Sequence, residues 1–254
     1  MSEPAYEFGV VCEARADQLT ACGIADRILA SEVDWLAPEV RDALYRWIGV
    51  KAHPDDRFVR WQKVREESMR LGIKGLFGRF GGESGRPDAF IARQALLLFA
   101  SLARKPDAVV LVRDSDGDPT RRKGLEQARS AYSWPFRVVI ALAEPKREAW
   151  VLAGFESGNA DEVERLRALR ERLSLDPIQK SHELDASEHG AKKDIKRALE
   201  ELIQDDGGRE RQCLEETRLE LLAQRGQHNG LAAFMAEARE QLVPILKGTG
   251  GVSG

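Results

Sequence analysis

The stretch that most constrains this chain is Asp107 to Asp118, DAVVLVRDSDGD. Ala108 to Arg113 is apolar but for its last residue and rich in valine, the pattern of a strand buried on both faces of a sheet. It then breaks into acids at alternate positions, Asp114, Asp116 and Asp118, with Gly117 free to turn. If Asp114 to Asp116 stays extended, both carboxylates point to one side. Like charges that close resist joint ionisation unless a cation is shared, so the first expectation is a divalent metal site. The competing expectation is a capped turn before a helix, because Asp and Gly are common turn residues.

Two further apolar runs repeat the theme. Tyr6 to Cys12 (YEFGVVC) reads as a first strand that ends on Glu13, and Phe136 to Ala143 (FRVVIALA) as a later one that ends on Glu144. Helical segments separate them. The spacing predicts helices over 17–30, from Pro38 through Ile48, from Phe58 to about Leu71, from Ala89 to Arg104 with Asp88 as cap, and over 120–132. Pro145 is expected to open one more short helix. Strands alternating with helices predict an α/β fold with a mainly parallel, Rossmann-like sheet whose C-terminal strand ends share one edge. Ligands of open sheets bind there. Glu13, Asp114, Asp116 and Glu144 are therefore expected together, as oxygen donors suited to Mg²⁺ or Mn²⁺. Such an ion can polarise a phosphoryl oxygen and prepare a nucleophile, with Lys146, Arg122 or Lys123 neutralising the phosphate.

Between these elements, 72–87 holds six glycines among Lys74, Arg79 and Arg86. It reads as a loop, with Ile73 to Phe77 as an alternative short strand, and carries neither phosphate-loop motif. From Gly158 onward the pattern turns to amphipathic helices, over 161–173, 190–204, 209–225 and 230–247. A catalytic domain over 1–157, a helical extension over 158–247 and a Gly-rich tail over 248–254 are expected.

Composition sets limits. The chain of 254 residues is 43% hydrophobic and 32% charged, which suits a soluble globular protein. No stretch is long and apolar enough for a membrane span, and Met1 to Glu7 lacks the features of a secretory signal, so a cytoplasmic location is expected. Cys12, Cys22 and Cys213 form neither a disulfide framework nor a zinc spacing, and read as reduced and structural. The formal charge of −3 hides an acidic start and a basic middle: 1–45 carries nine acids and three Lys/Arg, 46–129 eleven acids and eighteen Lys/Arg. A basic middle around an acidic motif suits a polyanionic substrate over metal, and equally a solvated helical surface. His53, His182, His189 and His228 show no metal-ligand spacing and read as surface or capping residues. The tryptophans read as packing, and Lys192, Lys193, Lys196 and Arg197 as one basic helix face.

A glutamate after the first strand and a DxD after a later one resembles the Toprim domain of topoisomerases, primases and the overcoming-lysogenization-defect nucleases. Glu13 matches the glutamate, and Asp114 and Asp116 the aspartates. Trp61 through DSDGD, EPKREAW (Glu144 to Trp150) and the helical C-terminus look like a group of uncharacterised bacterial Toprim-like proteins. The resemblance implies metal-dependent endonuclease chemistry on nucleic acid, DNA before RNA. Glu13 is implied in acid/base work or metal binding, and Asp114 and Asp116, joined by Asp118, in holding Mg²⁺ or Mn²⁺. It also implies a separate ATPase partner and a place in antiphage defence, and leaves a homo-oligomer open. The chain departs from the family in following Glu13 with Ala14-Arg15-Ala16-Asp17 rather than an early glycine.

Two other readings compete. DSDGDP is similar to the DxDGT of haloacid-dehalogenase-type phosphatases, but stands far into the chain and lacks a second acidic pair after a strand. A non-catalytic Toprim-like module that binds nucleic acid or an ATPase uses the same fold without cutting. An EF-hand does not fit, because Gly117 and Leu125 fall at the wrong loop positions.

Overall fold

A computed structural model describes residues 4–51, 56–73, 79–186, 188 and 190–248. The glycine-rich strand alternative at 74–77, His53, His189 and the tail beyond 248 lie outside the described residues. The fold is α/β, with a mainly parallel sheet flanked by helices.

The chain divides into two compact units. One comprises 1–113, 118–141 and 236–254, the other 114–117 and 142–235. The boundary expected at 157/158 does not coincide with this division, which passes through two strands. The second unit takes up the residues that follow them.

The first unit holds the sheet. Strand β1 (Tyr6–Cys12) runs into helix α1 (Arg15–Glu32), whose first turn is fixed by Asp17 accepting from the Ala14 N–H at 2.8 Å. Helix α2 (Pro38–Leu44) gives way to β2 (Tyr45–Ile48), and β3 (Val59–Arg60) leads through a 3₁₀ turn (Trp61–Lys63) into α3 (Val64–Arg70). Helix α4 (Ala89–Ser101), β4 (Ala108–Asp114), α5 (Arg121–Arg129) and β5 (Arg137–Ala143) follow. The strand order is β2-β1-β4-β5, with β3 paired to the end of β1. Register partners such as Phe8 with Ala108 and Val11 with Leu111 make β1 and β4 parallel. Bonds from Arg137 N–H to Asp107 O and from Ser115 N–H to Ala143 O show β5 running the same way. The central strands are buried along their apolar stretches, Phe8–Cys12, Ala108–Val112 and Val138–Ala143, as strands covered on both faces require. At Gly9, α4 comes so close that a Cβ would lie 2.6 Å from the Phe99 ring.

Several local expectations are corrected. Trp47 and Ile48 lie in a strand, because Tyr45 and Trp47 alternate inward against Phe8 while Arg46 turns outward to Glu7. Phe58 to Trp61 is extended or 3₁₀ before the helix begins. Asp88 does not cap α4: it sits at φ 65, and its carboxylate pairs with Arg113 and Arg121. That ion pair, with Lys123 to Glu83 at 3.1 Å, accounts for two of the basic residues opening α5. Leu19 and Val163 are exposed although each stands at helical spacing from a buried apolar residue, Cys22 and Leu166 respectively.

Asp26 of α1 accepts from Tyr45 Oη and Trp47 Nε1, both at 2.9 Å. Burial pushes its carboxyl up to about 6 in spite of these donors. The folded chain therefore binds this proton more readily than the unfolded chain, and the group's contribution to stability falls as pH rises through the interval between the two values. Lowering pH from 8 to 5 should add about 1 kcal/mol from this group. In Asp26→Asn, urea titration at both pH values should show that increment gone.

The second unit is helical: α6 (Glu148–Ala153), α7 (Ala160–Leu173), a 3₁₀ turn (Ser181–Glu183), α8 (Ile195–Ile203), α9 (Gly207–Glu215), α10 (Leu219–Arg225) and the first turn of α11 (Leu231–Gln241). The expected helix over 209–225 is two, parted near Thr217, whose hydroxyl donates to Gly154 O at 2.6 Å. That over 230–247 is also two, α11 and α12 (Val243–Lys247), since Pro244 cannot supply an N–H to the turn before it. Pro145 does not open α6, which begins at Glu148. Trp150 stacks on Phe234, with ring centroids 5.3 Å apart, and donates to Asn229 O. Asn229 is fully buried. Its amide also donates to Ala149 O and Ser181 Oγ, and its side-chain oxygen accepts from Leu231 N–H. All three cysteines are buried and free. No described helix is long and apolar enough to cross a membrane.

Candidate active site at the ends of β4 and β5

Strand β4 carries Asp114 as its last residue, and the chain then bends sharply. Asp116 adopts φ 48 and Gly117 φ 77, a left-handed pair that Asp tolerates and Gly favours. The bend is locked to the segment after β5. Ser115 N–H donates to Ala143 O at 2.8 Å, and Asp116 N–H to Pro145 O at 2.9 Å. The buried Ser115 hydroxyl reaches Pro145 O at 3.3 Å. In return Arg147 N–H donates to Asp114 Oδ1 at 2.9 Å. Asp114, Asp116, Glu144 and Lys146 are thus carried by two facing turns of one unit. Glu144 is fixed further by donating its N–H to Asn229 O at 2.9 Å.

The other two acids are engaged elsewhere. The Glu13 carboxylate is held by the guanidinium of Arg113, which also contacts Asp88 and lies over the Trp61 ring. Asp118 Oδ1 accepts from the N–H of Thr120 at 2.8 Å and from its hydroxyl at 2.6 Å, which holds its carboxyl below the usual range. Asp118 therefore follows the turn expectation, whereas Asp114 and Asp116 stand on the locked bend.

Arg147 is the residue that sequence reasoning left without a role. Its backbone binds Asp114, and its guanidinium is held by Glu210 of α9 and lies 3.8 Å from Glu148. Only its place beside Lys146 hinted at this. Half-buried Lys146 makes no ion pair among the described residues. His182 and His228 face one another with ring centroids 5.1 Å apart; burial first, then the second imidazole, lowers the His182 pKa.

Among the described residues no three His, Cys, Asp or Glu side chains form a ready-made metal cluster. Mg²⁺, however, is commonly held by one or two carboxylates plus water and substrate phosphate rather than by an all-protein cage. Asp114, which ends β4, and Asp116, on the bend after it, are oxygen donors of the kind such a site uses.

No family model, curated protein or solved structure matches this chain. The reading of the site therefore rests on its geometry and on the motif.

Proposed function

We propose that the ends of β4 and β5 form the active edge of a metal-dependent phosphodiesterase, a nuclease acting on nucleic acid. The observation that supports it is the lock between the two turns, which sets Asp114 and Asp116 beside the segment bearing Glu144 and Lys146. Asp114 and Asp116 would hold Mg²⁺ or Mn²⁺ together with water and the substrate phosphate, with Glu144 on the facing turn as a catalytic carboxylate. The ion would supply charge stabilisation at the phosphoryl oxygens and a more acidic water. Lys146 neutralises a non-bridging phosphate oxygen. The Arg147 backbone orients Asp114 by occupying one of its oxygens. The Toprim resemblance adds DNA as the substrate, an ATPase partner and a role in antiphage defence to this proposal.

One observation favours a second reading, the non-catalytic binding module. Arg113 already neutralises Glu13, the glutamate that the resemblance gives to acid/base work. Supercoiled plasmid incubated with Mg²⁺ or Mn²⁺ separates the two. The nuclease reading expects nicking by the native chain and none by Asp114→Ala. Equal nicking by both would sink it, and binding without nicking in the presence of cell partners would favour the module.

A further inference from the structure

A cavity of about 420 Å³ opens in the sheet unit, between the residues that follow β2 and the segment from β3 into α3. Arg60, which ends β3 and pairs in register with Cys12, places it at the C-terminal edge of the sheet, where open α/β sheets bind ligands. Its acids are already engaged. Glu67 is paired with Lys51 at 3.3 Å and with Arg70 at 2.8 Å, and Glu66 with Lys63 at 2.6 Å. Asp56 Oδ2 accepts from the Lys51 N–H at 2.6 Å. Arg57 and Arg60 line the same cavity, are exposed, and make no ion pair among the described residues. Half-buried Phe58 stands between them in the chain and lines the cavity with Val50 and Val59.

We propose that this cavity binds the phosphate monoester of a nucleotide. Two guanidinium groups with planar donor forks match the oxygens of a phosphate, and an aromatic side chain offers a face to a base. The volume holds about one nucleotide, within the range of small-molecule sites. The phosphate belongs to a free mononucleotide or to the end of a nucleic-acid strand. The proposal stands apart from the Asp114 reading, and its test is run without metal.

Anisotropy of a 3′-labelled hexanucleotide, carrying either a 5′-phosphate or a 5′-hydroxyl, is measured in EDTA, with AMP and adenosine as competitors. The phosphorylated strand should bind at least about tenfold tighter than the hydroxyl strand, or AMP should displace it where adenosine does not. Strand preference without AMP competition identifies strand ends as the source, and competition by AMP identifies the free nucleotide; both support the site. Arg57→Gln combined with Arg60→Gln should remove the phosphate preference, while Asp114→Ala should keep it. Binding indifferent to the phosphate, unchanged in the arginine variant, or lost in Asp114→Ala overturns the proposal. Both arginines are exposed, so unchanged circular dichroism of the double variant is the expected control.

Discussion

Gly230→Ala should destabilise the helical unit by roughly 3 kcal/mol, a large share of the stability of an ordinary domain. Gly230 has φ 84, and a Cβ there would lie 2.0 Å from Leu142 O, far inside contact distance. The obstructing atom is a backbone carbonyl near the end of β5, so no side-chain rotation relieves it. Either the Leu142 peptide or the Asn229–Gly230 segment must move, and the second option carries Asn229 with it. Asn229 O accepts from Glu144 N–H and Trp150 Nε1, so the shift would loosen both the β5 turn and the Trp150 packing. Urea unfolding should show a clearly lower midpoint. A midpoint equal to that of the native chain would mean that this junction bears less of the fold than its geometry indicates.

Under the proposed nuclease reading the second large effect is on nicking, and depends on the contrast within the DSDGD motif. Asp114→Asn keeps an oxygen for the Arg147 N–H and removes the charge, so the fold should persist while nicking falls by about 10³-fold, on the order of 4 kcal/mol in transition-state stabilisation. Asp118→Asn should cost little activity, because its carboxylate is occupied by Thr120. Glu13→Gln should also fall well short of Asp114→Asn, because Arg113 holds the carboxylate. Parallel nicking rates for the three variants check this order. Equal losses at all three positions would show the acids acting as one undivided cluster.

Strands β1, β4 and β5 were legible because each holds a short, valine-rich apolar run bounded by polar or turn residues, the pattern of a strand covered on both faces. Their parallel order, and hence the placing of acids at strand ends, followed from the alternation with helices. Strand β2 was not legible. Its residues Tyr45 to Ile48 follow a proline-initiated helix so closely that Leu44, Trp47 and Ile48 also satisfy a helical period. Only the pairing with β1 decides between the two periods.

The pairing of Arg113 with Glu13 joins residues 100 apart in the chain and is set by strand register, which no local pattern reports. The Arg147 bond to Asp114 is made by a backbone N–H, a donor every non-proline residue has, so residue type gives no signal. Asp114, Asp116 and Asp118 are chemically alike in sequence. The bend at Asp116 and Gly117 separates them, because it leaves Asp114 and Asp116 against the Pro145 segment and turns Asp118 toward Thr120.

The most direct test of the account is Mn²⁺ binding followed by the electron paramagnetic resonance signal of the free ion. The native chain should remove Mn²⁺ from solution at a site that is lost in Asp114→Asn combined with Asp116→Asn and retained in Asp118→Asn. Mn²⁺ uptake that is the same in the native chain and the double variant would contradict a metal site at the ends of β4 and β5.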